Sequence, residues 1–107
     1  MDLPNQIVIK GKKWELIPLK KDNPETNKID GEADLDKKKI KLNVDLDHDQ
    51  LLITIIHELL HVIFYNNRLK LKLRTEEKYV DIFSKDLVKI LQNKKNKKLN
   101  NLIKDLL

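Results

Sequence analysis

A chain of 107 residues is long enough for one domain with a modest core and too short for two. It has no cysteine, which excludes disulfides, thiolate nucleophiles and cysteine-based zinc sites, and only two glycines, which excludes glycine-rich phosphate loops. Hydrophobic residues make up 40% and charged residues 36%, with a net charge of +5, so a globular fold with solvated segments is expected.

The charge is uneven. Residues 1–66 carry ten Lys against twelve Asp and Glu, a net −2; residues 67–107 carry twelve Lys and Arg against five acids, a net +7. A basic half can mark a nucleic-acid surface. With two arginines in the chain, and Tyr79 and Phe83 the only aromatic residues in this half, it reads better as a lysine-rich solvated face. No membrane partner is expected. The longest apolar-rich stretch, Leu51 to Phe64, is short of about 18–20 residues and is broken by Thr54, His57, Glu58 and His61. The start, Met1-Asp2-Leu3-Pro4-Asn5, lacks the basic and apolar regions of a signal peptide, so the expected location is cytoplasmic.

In chain order, Ile7 to Lys10 and Trp14 to Ile17 flank Gly11-Lys12-Lys13 and read as a hairpin, with Trp14 a core anchor. Pro18, then Lys20 to Lys28, read as a polar loop. Gly31 to Leu35 and Ile40 to Val44 flank a charged turn, Asp36 to Lys39. The result is three or four short antiparallel strands. Asp47 suits a helix N-cap with Gln50 three residues on, and a central helix follows from about His48 to Tyr65. After a linker, Asn66 to Arg74, Thr75 can cap a second helix from Glu76 to about Gln92. Lys94 to Lys98 break the pattern, and Leu99 to Leu107 can form a short amphipathic helix. The expected organisation is one domain over 1–93 and a basic tail over 94–107.

The central helix carries His57-Glu58-Leu59-Leu60-His61, the pattern His-Glu-x-x-His. Residues four apart on a helix differ by about 40° and one turn of rise, so both imidazoles share a face and can bind one zinc ion. Glu58 lies beside the first ligand, where a carboxylate can take a proton from activated water and pass it to a leaving amine. Composition alone would produce the pattern about once in 200 such chains. After Gln50, the helix's polar residues are Thr54, His57, Glu58, His61 and Tyr65, a single polar stripe. Burying such a stripe without a partner is costly.

A catalytic zinc needs a third protein ligand. No His follows His61, so that ligand must be a carboxylate: Glu76, Glu77 or Asp81. The helical wheel puts Glu76 at the centre of the second helix's apolar face and Glu77 at its edge, which slightly favours Glu76. His48 suits a capping or surface role. Tyr65, Tyr79 and Arg74 can donate to an oxyanion, but a Tyr packed with its hydroxyl at the surface is the more frequent arrangement and no oxyanion donor stands out; Asp34 borders the cleft or starts a turn.

The run from Gly31 to Asn93 resembles small phage- and prophage-encoded zincin-like metallopeptidases related to the ImmA/IrrE type. The shared features are the strand pair Gly31 to Asp34 and Ile40 to Leu42, the His57–His61 helix, and a second helix similar to Glu-x-x-Ala-Asn-x-Phe-Ala. Glu77, Val80, Asp81, Phe83 and Ser84 fall at its spacings. The resemblance therefore selects Glu77 as third ligand, and Ser84 is small enough to let the helices approach closely. Val80 stands where the group carries a small residue, which keeps Glu76 in play. The resemblance implies an α+β, minimal zincin-like fold: a small antiparallel sheet of three or four strands packed on an active-site helix and a second helix. It also implies Zn2+, held by His57, His61 and Glu77, and hydrolysis of a peptide or protein substrate with Glu58 as general base and acid. The rival expectations are a zincin-like binding or regulatory module without turnover and, behind it, a basic nucleic-acid-binding protein.

Overall fold

The computed structural model describes residues 3–24 and 28–107. Met1, Asp2 and residues 25–27 of the expected polar loop lie outside the described residues. The fold is α+β. Strands β1 (Gln6–Ile9), β2 (Lys12–Leu19), β3 (Gly31–Asp34) and β4 (Lys39–Asn43) precede helices α1 (His48–Asn66), α2 (Leu73–Gln92) and α3 (Lys97–Leu106), and a 3-10 turn over Lys94–Asn96 joins the last two. The hairpin turns at Lys10 and Gly11, with φ of 48° and 76°, a left-handed pair that suits the twist of two-residue hairpins.

The sheet is mixed, where an antiparallel one was expected. Its order is β1-β2-β4-β3, and β2 runs parallel to β4. The reason lies in composition. Ile40 and Leu42 of β4 are each 1% exposed, so that strand takes an inner position with a neighbour on both sides. The charged β3, Gly-Glu-Ala-Asp, tolerates the edge. The chain therefore passes over one strand position after β2, and the β3–β4 hairpin folds β4 back into the gap.

Pro18 sits inside β2 rather than opening a loop. Along β2 the amides alternate: Glu15 N–H donates to Lys38 O on the β4 side and Leu16 N–H to Asn5 O on the β1 side. The donor that Pro18 lacks therefore belongs to the side where β1 has already ended, so no sheet bond is lost.

One sheet face packs on α1. Trp14, Ile40, Leu42, Leu51 and Val62 form the buried cluster, with Ile55 and Leu59 of α1 packed against it. As expected, α1 is capped by Asp47, whose Oδ1 accepts the Gln50 N–H at 2.8 Å. α2 begins at Leu73 rather than at Glu76, and Lys72 occupies the cap position without a side-chain bond. Glu76 then lies in the first turn, where a carboxylate favours the helix N-terminus. Among the described residues, no helix is long and apolar enough to cross a membrane.

Trp14 is fully buried and its indole N–H has no partner, so its contribution is packing alone. Trp14→Ala is expected to lower stability by about 3–5 kcal/mol, read as a lower urea midpoint.

Candidate metal centre

The polar stripe of α1 faces inward. Thr54, Glu58 and His61 are buried, at 6%, 5% and 9% exposure. Three neighbours make this possible. Thr54 Oγ1 donates back to Gln50 O at 2.8 Å. β3 borders one side of the stripe, and the first turn of α2 borders the other.

Gly31 lets β3 come this close. In the strand register it pairs with Leu42, on the helix-facing side of the sheet. A Cβ there would meet Thr54 Cγ2 at 2.7 Å, Lys41 O at 3.1 Å and Glu58 Cγ at 3.3 Å. Only a residue without a side chain fits between the sheet edge and the Glu58 stem. Sequence reasoning placed Gly31 at a strand start and missed this contact; being one of two glycines, on a strand rather than in a turn, was the available signal.

α2 crosses α1 antiparallel and brings two adjacent carboxylates to the two imidazoles. Glu77 Oε2 lies 3.4 Å from His57 Nε2, and Glu77 Oε1 lies 2.7 Å from His61 Nε2. One ligand atom each from His57, His61 and Glu77 falls within 4.8 Å of the other two. Four-coordinate zinc ligands at 2.0–2.2 Å from the ion stand about 3.4 Å apart, so this donor set fits a zinc ion in size and kind. Two acceptor lone pairs cannot sit 2.7 Å apart unless a proton or a cation lies between them, and His61 Nε2 and Glu77 Oε1 therefore share one or the other.

Glu76 occupies the other nitrogen of His61, with Oε2 2.6 Å from Nδ1. With the proton on Nδ1, that nitrogen donates to Glu76 and Nε2 is turned toward Glu77. Glu76 and Glu77 thus make different contacts: Glu77 lies with His57 and His61 in one donor group, and Glu76 meets the other nitrogen of His61. Ser84, fully buried, and Val80, also fully buried, line the α2 face nearest α1.

Glu58 is not part of the donor set. Its Oε2 is buried and has no hydrogen-bond partner. Burial pushes its carboxyl from an ordinary 4.5 up to about 7 in the metal-free protein; His61 pulls it down, while Glu77 and Glu32 push it further up. A polar cleft of about 620 Å³ opens beside it, bordered by Lys28, Asp30, Gln50, His57, Asp81 and Lys85.

The remaining candidates lie elsewhere. The His48 side chain is 70% exposed and pairs with Asp49. Tyr65 is 48% exposed, and Tyr79 stacks on Phe83 at 6.0 Å. Arg74 is exposed. None of these four borders the cleft. Asp34 serves the turn, accepting the Lys37 N–H at 3.1 Å. Comparison with family models, with curated proteins and with solved structures finds no match.

The buried Glu58 makes the metal-free protein sensitive to pH. Between about pH 4.5 and 7 the native state keeps a proton that the unfolded chain has lost, so stability falls as pH rises through that window, by up to about 3 kcal/mol. Urea unfolding of chelator-treated protein at both ends of the window should show this loss, and Glu58→Gln should remove that part of it.

Proposed function

We propose that the protein is a zinc-dependent peptidase that hydrolyses a peptide bond in a peptide or protein substrate, on a zincin-like plan. The observation that carries this reading is the convergence of His57, His61 and Glu77 beside the buried, unpartnered Oε2 of Glu58. A zinc ion held by the three ligands would polarise the scissile carbonyl and acidify a water molecule. Glu58, whose Oε2 has no hydrogen-bond partner, would accept the proton of the attacking water as the new C–O bond forms. The C–N bond then breaks, and Glu58 returns that proton to the departing amine nitrogen. Glu76 holds His61 in the tautomer that offers Nε2 as a ligand. A cytoplasmic location and a phage or prophage origin belong to the same reading.

Elemental mass spectrometry of protein purified without a His tag is expected to find about one zinc per chain, lost in His57→Ala and in Glu77→Ala. Glu76→Gln should weaken zinc affinity by about 10–100-fold without abolishing it. Absence of metal, with no uptake from a zinc-containing buffer, would overturn the reading.

Glu58→Gln separates a peptidase from a binding module. The variant should retain zinc and lose at least about 100-fold in cleavage of a fluorescence-quenched peptide library. Equal cleavage by wild type and variant would remove Glu58 from the chemistry.

A further inference from the structure

We infer that α2 and α3 form the interface of a two-fold homodimer. The chain exposes 8273 Å², whereas a compact folded monomer of 12.7 kDa exposes about 6200 Å². Its radius of gyration is 14.6 Å, against about 13 Å for a compact chain of this length. The excess, about 2000 Å², is more than the roughly 800 Å² that each partner buries in a standard interface.

Much of the apolar surface left open lies on two helices. α3 has no buried residue, yet Leu99, Leu102, Ile103 and Leu106 share one face of it, 39–77% exposed. On α2, Tyr79, Phe83 and Leu87 recur every fourth residue and Ile90 joins their flank, all 41–50% exposed. The opposite flank of α2, with Asp81 and Lys85, borders the cleft of the candidate centre, so the apolar flank faces away from it. α3 is tied to its own chain at its first turns, where the Asn100 side-chain amide donates to Leu91 O, and its apolar face is left uncovered.

A second copy fits both surfaces at once. Two-fold pairing sets α3 of each copy on the α2 flank of the other, so that each apolar surface meets one of its own kind and the assembly closes. A bilayer is a poorer match: α3 is ten residues long and has no aromatic anchor.

Light scattering coupled to size-exclusion chromatography, on the full chain at micromolar concentration, tests the proposal. Wild type is expected at twice 12.7 kDa. Leu102→Glu with Leu106→Glu, which alters no buried side chain, and separately Phe83→Glu, should each weaken association at least tenfold and elute at the monomer mass with unchanged far-UV circular dichroism. A wild-type monomer overturns the proposal, whether or not it co-sediments with phosphatidylserine vesicles. A dimer that survives both variants overturns it as well. No residue of the proposed zinc centre is altered, so the result stands apart from that reading.

Discussion

The structure turns on the cost of taking Glu58 and His61 out of water. An apolar helix can bury such a stripe only if each polar atom meets a partner or a solvated cleft. The carboxylates of Glu76 and Glu77 meet the two imidazoles, and together they fix where α2 crosses α1. The axial position of α2 follows from this contact, because its first turn must lie level with His61. The lateral distance follows from Val80, Ser84 and Val88, whose modest size lets the backbones approach. One atom is left without a partner, Glu58 Oε2, on a residue that borders the cleft.

The sheet answers to the same constraint from the other side. β3 is short, charged and placed at an edge, a poor strand by propensity. Its value lies in Gly31, which brings backbone within contact of Thr54 and the Glu58 stem. A bulkier residue there would push the strand outward and hydrate the carboxylate. The inner strand β4 supplies the anchoring that β3 lacks, through Ile40 and Leu42.

Much of this was legible in the residues. α1 was, because a capping Asp47, a long apolar period and an interrupting polar stripe all agree. The hairpin was, because Gly11 sits between alternating apolar runs. The order of the strands was not: alternation reports that Ile40 and Leu42 share a face and says nothing about which strand lies beside them. Pro18 misled for a related reason, since its missing donor matters only on a side that has a neighbour. Thr75 looked like a cap, yet the helix begins a turn earlier and places Glu76 where both the helix terminus and His61 favour it. The paired roles of Glu76 and Glu77 were beyond a helical wheel, which ranks positions by face and cannot see the His61 ring that receives one of them.

A chain this small has few buried places to distribute. Eight apolar side chains are buried among the described residues, and four polar ones beside them, three of which lie on the α1 stripe. A core that gives so large a share of its interior to polar groups has less apolar area left to oppose chain entropy. Two remedies are open to such a domain: a ligand that binds only the folded state, or further apolar burial against another surface. The first matches the convergent donor set at the end of α2 nearest β3; the second matches the uncovered flank of the same helix and the bare face of α3. Both remedies converge on α2, which contributes one flank to the site and leaves the other open. That division explains why a helix with only Val80, Ser84 and Val88 buried carries so many other apolar residues: they serve a surface the isolated chain does not cover.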